Sequence, residues 1–126
     1  MIFDEVISFR VARGGAQARY GGDPDLTAFG KIIGGGFPVG ATAGRAAVMD
    51  VFDPNTSGPR IASGGTFSAN PISMVAGLVT LRALDDRAFD RLADMGARLR
   101  GRLNEVFRKM GVPGHVTGTA RCSSSS

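Results

Sequence analysis

The sequence predicts an α/β fold in which short strands come first and two long helices follow. Apolar runs of strand length in the first 45 residues are separated by clusters of Gly, Pro and Asp, which are typical of turns. Beyond residue 70, apolar residues recur at three- and four-residue steps, which indicates helices. Glycine provides 19 of the 126 residues, which indicates tight turns and close approach of the backbone to other groups.

Composition narrows the functional classes. A hydrophobic content of 43% is typical of a globular chain rather than a disordered one. The net charge of +4 comes mostly from Arg residues interleaved with Asp in the second half, which indicates solvated helix faces rather than a nucleic-acid-binding stripe. One Cys and one His cannot form a disulfide framework or a zinc cluster within the chain. No stretch predicts a signal peptide or a membrane span, so we expect a cytoplasmic protein.

The first predicted strand lies within residues 1–7 and carries two acids. A buried strand rarely holds acids in its middle, so Asp4 and Glu5 should lie at its carboxyl end. Ligands of open α/β sheets bind at that end, which makes Asp4 a candidate ligand-facing carboxylate. The alternative is an ordinary acid between strand and loop. We interpret Glu5 as a structural acid rather than a catalytic one.

The second predicted strand lies within 26–33 and ends on a lysine, Lys31, which precedes three glycines at 34–36. Small residues after it would clear space in front of the amine, as a lysine that reaches a bulky planar ligand requires. The alternative is a solvated lysine at the end of a strand. Around this strand the sequence predicts a loop at 8–25, a third strand at 37–44, a short helix at 45–52 and a loop at 53–65.

Two helices are the clearest predicted elements. Asn70 followed by Pro71 is an N-cap with proline at the first helical position, and this helix should extend to about Leu84. The second helix should run over about 86–110, where Gly111 supplies a C-terminal stop. We expect a further strand to begin near 115–119.

Six motifs, taken in order, identify a family. They are Ile-Phe-Asp-Glu-Val at 2–6, Gly-Gly-Ala-Gln at 14–17, Pro-Asp-Leu-Thr at 24–27, Gly-Lys-Ile-Ile-Gly-Gly-Gly at 30–36, Pro-Val-Gly at 38–40 and Gly-Thr-Phe-Ser-Ala-Asn-Pro at 65–71. In this order and spacing the chain resembles the class III aminotransferases that use pyridoxal 5′-phosphate. The likeness is closest to the glutamate-1-semialdehyde 2,1-aminomutase branch.

The resemblance implies a role for four residues. Lys31 would be the lysine that forms a Schiff base with the cofactor aldehyde and then moves a proton as base and acid. Asp4 would pair with the pyridinium nitrogen and keep the ring protonated. Val6 would pack against one ring face, although it could equally be plain core. Thr66 would contact the cofactor phosphate of the neighbouring subunit, unless it is a simple turn hydroxyl.

One departure bears on the reaction. Many ω-amino-acid transaminases of this class carry Gln where this chain has Ile7, which cannot donate a hydrogen bond to the cofactor. The aminomutase-like branch usually has an apolar residue there, so the resemblance favours that branch. It further implies a small amino-acid or amino-aldehyde substrate and a homodimeric full-length form, with no nucleic-acid or membrane partner.

The resemblance covers about residues 1–119 and implies only part of the family's fold. Residues 1–111 would be part of the cofactor-binding large domain, with its mostly parallel sheet, and 112–119 would begin the C-terminal small domain. We expect residues 120–126 to be a disordered tail. Much of the sheet would then lack covering helices, so we expect exposed apolar surface and little activity from this chain alone. The alternative is a non-catalytic fragment that binds a ligand weakly or only a partner.

Overall fold

A computed structural model describes residues 1–55 and 61–118 of the chain. Its sheet has three strands in the order β1-β2-β3, namely β1 (Ile2–Asp4), β2 (Leu26–Gly30) and β3 (Gly40–Gly44). β1 and β2 are parallel, whereas β2 and β3 are antiparallel. The predicted α/β class is confirmed. The described sheet is mixed rather than mostly parallel, because the chain reverses direction between β2 and β3 without a crossover helix.

The register of β1 and β2 brings their carboxyl ends to the same edge of the sheet. Ile2 lies opposite Leu26, and Asp4 lies opposite Ala28. The last residue of β1 is therefore Asp4, as expected, and the two acids follow the strand rather than interrupting it. Side chains that follow either strand emerge at this shared edge.

The segment between β1 and β2, predicted as a loop, contains two short helices. A 3₁₀ turn spans Ser8–Val11, and helix α1 spans Gly15–Tyr20. The prediction was wrong here because six residues are too few to show an apolar period. The ring of Phe9 packs edge-on against Phe29 of β2, with ring centroids 5.1 Å apart.

The segment after β2 turns earlier than predicted. β2 ends at Gly30, and Lys31–Gly34 forms a 3₁₀ turn instead of the last part of the strand. β3 begins at Gly40 rather than at residue 37. Helix α2 (Ala46–Met49) and the 3₁₀ turn Asp50–Phe52 confirm the predicted short helix.

Helix α3 (Pro71–Ala83) confirms the first predicted long helix. Its N-cap is Asn70, whose side chain accepts hydrogen bonds from the amides of Ile72 and Ser73 at 3.0 and 3.3 Å. The hydroxyl of Ser73 donates to the carbonyl of Pro38 at 2.8 Å. This bond ties the start of α3 to the segment between Lys31 and β3.

The chain divides into two compact units, Met1–Leu84 and Asp85–Ser126. The second unit contains helix α4 (Asp86–Lys109), which begins after the N-cap Asp85 and stops at Gly111, where φ is 66°. The segment after α4 folds back, because the side-chain amide of Asn104 bonds the backbone of Val116 at 2.7 and 3.3 Å. Within the described residues, no helix combines the length and apolarity needed to cross a membrane.

Three predictions concern the end of the chain. Residues 115–118 form no strand, and Thr119 lies outside the described residues. The predicted disordered tail, 120–126, also lies outside them. The predicted domain boundaries at 111 and 119 stay a prediction.

Candidate functional site

Lys31 occupies a strained backbone position at the carboxyl end of β2. Its φ is 49°, in the left-handed region that side-chain-bearing residues rarely adopt. This conformation costs about 1 kcal/mol or more for a residue with a Cβ, and such strain is concentrated at functional sites. The side chain is exposed, and its amine has no hydrogen-bond or ion-pair partner among the described residues. The amine is therefore accessible to a ligand.

The three glycines after Lys31 are used mainly to pack the protein. A Cβ atom added at Gly34 would lie 2.5 Å from a methyl group of Val39, and one at Gly35 would collide with the carbonyl of Ala76 in α3. Only at Gly36 would an added Cβ atom meet nothing within 4 Å. The interpretation that these glycines clear space for a ligand is thus wrong for two of the three. They let residues 31–36, the lysine turn, lie directly on α3.

Asp4 lies on the strand next to Lys31, at the same edge of the sheet. Lys31 follows Ala28, the residue opposite Asp4, by three positions. One carboxylate oxygen of Asp4, Oδ1, accepts a hydrogen bond from the amide of Val6 at 2.9 Å. Its other oxygen accepts none from the described residues, and the side chain is exposed. This free oxygen can accept a hydrogen bond from a donor group of a ligand.

Val6 approaches the lysine turn from the β1 side. A Cβ atom added at Gly30 would lie 3.3 Å from Cγ1 of Val6, so the valine side chain lies beside the residue that precedes Lys31. β1 ends at Asp4, and Val6 therefore owes its position to a turn rather than to strand alternation. Asp4, Val6 and Lys31 thus all follow or end strands at the same edge of the sheet.

Thr66 is not brought into this group. It lies in an exposed turn that precedes α3, where the amide of Ser68 bonds the carbonyl of Gly65 at 2.9 Å. The role that the resemblance gives to Thr66 is in a neighbouring subunit, and its place in a single chain does not bear on that role.

Sequence reasoning missed the interactions of Glu5. Its side chain is 1% exposed, and its carboxylate accepts hydrogen bonds from the Ser8 hydroxyl and from the amides of Ala16 (3.1 Å) and Gln17 (2.7 Å). Burial raises the pKa of Glu5, but these three hydrogen bonds outweigh it and hold the pKa below its ordinary value. The structural interpretation of Glu5 agrees with this geometry. The only sequence signal was the nearby Gly14-Gly15 pair, which permits the close approach.

Comparison with known proteins identifies the family. The profile of the family described as aminotransferase class III matches residues 1–121. The chain belongs to this family. The family resemblance read from the motifs is therefore confirmed.

Individual relatives align with most of this chain, but the aligned region is only a small part of each relative. A glutamate-1-semialdehyde 2,1-aminomutase of Methanobrevibacter smithii is 49% identical over 112 residues, which are 88% of this chain and 26% of that protein. The class III chain therefore spans about a quarter of the length of the curated relatives it matches.

Solved structures agree with this assignment. An ω-transaminase from Sphaerobacter thermophilus matches 94% of this chain and 27% of its own, at 60% identity and a TM-score of 0.91. A transaminase solved with pyridoxal phosphate bound matches 94% of this chain and 28% of its own, at 39% identity and the same TM-score. Pyridoxal phosphate, predicted from the motifs, is thereby confirmed as a cofactor of the family.

Proposed function

We propose that this chain supplies part of the pyridoxal phosphate site of an amino-transferring enzyme, with Lys31 as the amine that bonds the cofactor aldehyde. The observation that carries the proposal is the state of Lys31. A strained, exposed lysine without a partner among the described residues lies at the sheet edge where β1 ends with Asp4. A solvated lysine at the end of a strand would not need a strained backbone. The strain therefore favours a functional role for Lys31 over that alternative.

The residues at this edge fit the chemistry of the cofactor. When bound, pyridoxal phosphate supplies a pyridinium ring that withdraws electrons from the substrate. The free oxygen of Asp4 would hold the proton on the ring nitrogen, since an adjacent carboxylate favours the cationic form. Val6 would place an apolar wall beside the ring and exclude water. The Nζ atom of Lys31 would take and return the substrate proton as base and acid.

The finer assignments belong to the same proposal. Relatives include both transaminases and aminomutases, so we propose the step they share, transfer of an amino group through Lys31. The substrate would be a small amino acid or amino aldehyde, and the enzyme a cytoplasmic homodimer without nucleic-acid or membrane partners. Thr66, exposed in its turn, would contact the phosphate in the partner's site.

A chimera tests the proposal. Residues 1–118 would replace the matching segment of the Sphaerobacter ω-transaminase, and turnover would be measured with that enzyme's own amino donor and acceptor. We expect an active chimera in which Lys31→Ala abolishes turnover. Asp4→Asn should fold normally but lower kcat by about 10²-fold, the scale of one lost electrostatic contact in a transition state.

The matched control is Lys109→Ala, because Lys109 is the chain's other lysine and is ion-paired to Glu105 at 2.7 Å on α4. It should leave kcat unchanged. A chimera that stays active after Lys31→Ala, or that is inactive with the unaltered segment although it folds, would contradict the proposed function.

A further inference from the structure

We propose that Glu5 is a positioning residue, which fixes the orientation of Asp4 and Val6 by holding the end of β1 against helix α1. The inference rests on the proposed function, because it gives Glu5 a task only if its two neighbours face the cofactor. Glu5 would touch neither cofactor nor substrate.

The first argument is the position of Glu5 between two site residues. The backbone amide of Glu5 donates to the carbonyl of Ala28 at 2.9 Å, and its carbonyl accepts from the amide of Phe9 at 3.1 Å. The residue thus extends the pairing of β1 with β2 by one step and starts the following turn. Any rotation of its backbone would move Asp4 and Val6 together.

The second argument is the number and source of donors around its side chain. Three donors reach the buried carboxylate, two of them backbone amides in the first turn of α1. Hydrogen bonds to a charged acceptor are stronger than those between neutral groups, and each donor would be costly to leave unpaired in a buried place. The carboxylate therefore joins β1, the 3₁₀ turn and α1 at one point.

Gly15 lies so close to the Glu5 carboxylate that no side chain would fit between them. A Cβ atom added at Gly15 would lie 2.6 Å from Oε1 of Glu5, and Gly15 itself has a φ of 74°. Only glycine satisfies both conditions without strain. The start of α1 therefore packs closely against the carboxylate, and a shift of the carboxylate would disturb its hydrogen bonds to Ala16 and Gln17.

Glu5→Gln separates positioning from simple space filling. Gln has nearly the same shape but replaces one acceptor oxygen with a donor NH₂ group. Whichever way the amide turns, Ala16 or Gln17 then has an amide that faces another donor. Ser8→Ala is a graded variant, since it removes one donor and leaves the carboxylate with both amides.

The measurement is amide hydrogen exchange on this chain without any ligand. We expect Glu5→Gln to speed exchange at Val6 and Phe9 by about ten-fold or more, as for the loss of a buried hydrogen bond. Ser8→Ala should give a smaller change at the same amides, and exchange in β3 should rise less than exchange at Val6 and Phe9, because only the general loss of stability reaches β3. The control Glu105→Gln, in an exposed ion pair on α4, should change neither.

Three results would overturn the positioning role. Unchanged exchange at Val6 would show that Glu5 does not hold the edge, and an equal rise at β3 would show a general loss of stability instead. In the chimera, Glu5→Gln should lower kcat while Glu105→Gln leaves it unchanged, and an unaffected kcat would also overturn the role. Because exchange needs no cofactor, an inactive chimera would count against the proposed function and not against this result.

Discussion

At the scale of single residues, backbone strain marks the two segments that the family resemblance connects with the cofactor. Lys31 and Ala69 are the non-glycine residues with positive φ in the described part of the chain, at 49° and 53°. Lys31 opens the turn after β2, and Ala69 lies between the Thr66 turn and the N-cap of α3. Each position costs about 1 kcal/mol or more, which surrounding contacts must offset.

The sequence predicted where Asp4 and Lys31 lie in the fold. Asp4 and Lys31 could be placed from sequence because each follows a short apolar run, and parallel strands end at one edge. The hydrogen bonds to the Glu5 carboxylate could not be predicted, because their donors are mainly backbone amides of a six-residue helix, which is too short to show a periodic pattern. Hydrogen bonds to backbone groups depend on which elements pack together, and the pattern of side chains in the sequence does not predict that packing.

The lowered pKa of Glu5 predicts how stability depends on pH. The folded pKa lies below the unfolded one, so the carboxylate's contribution is complete above the unfolded pKa, about 4.3. It is lost as pH falls through the folded pKa. We therefore expect wild type to be more stable than Glu5→Gln at pH 7, and this difference to shrink below about pH 4.

Urea unfolding of both proteins between pH 7 and pH 3 checks this. Asp25 also has a lowered pKa, chiefly through a hydrogen bond from the Met1 amino group, but it is present in both proteins and cancels in the difference. A stability difference that is constant over the whole range would contradict the assignment to Glu5.

At the scale of elements, α3 and the lysine turn are packed almost backbone to backbone. A Cβ atom added at Gly77 of α3 would collide with the carbonyl of Ile33, and Gly35 meets the carbonyl of Ala76 in the same way. Caps and periodicity predicted both long helices correctly. They could not predict this contact, because a glycine inside a helix signals close approach without naming the partner.

Gly77→Ala tests the contact. Alanine favours a helix by about 1 kcal/mol over glycine, but overpacking against rigid backbone costs about 1–3 kcal/mol. The steric cost should win, because a carbonyl cannot turn aside as a flexible side chain can. We expect a lower melting temperature for Gly77→Ala.

The matched control is Gly101→Ala in α4, where an added Cβ atom meets nothing within 4 Å. There only helix propensity acts, and the melting temperature should rise or stay level. A Gly77→Ala protein as stable as wild type would show that α3 and the lysine turn are less closely packed than described.

At the scale of the whole molecule, much apolar surface is exposed, as expected from the sequence. Among the described residues, only Ala88 and Phe89 are buried hydrophobic ones. Large apolar side chains on both long helices are exposed, including Val75 and Val79 on α3 and Leu99 on α4, each about 60% exposed. This chain spans about a quarter of the length of its curated relatives.

The central claim is that Lys31, and not lysine in general, bonds the cofactor aldehyde. The most direct measurement is to incubate this chain with pyridoxal phosphate, reduce it with borohydride, and locate the pyridoxyl label by peptide mass spectrometry. Lys31 has no partner among the described residues, whereas Lys109 is ion-paired to Glu105. We expect the label on Lys31, lost in Lys31→Ala and kept in Lys109→Ala. A label found mainly on Lys109, or shared evenly between the two lysines, would contradict it.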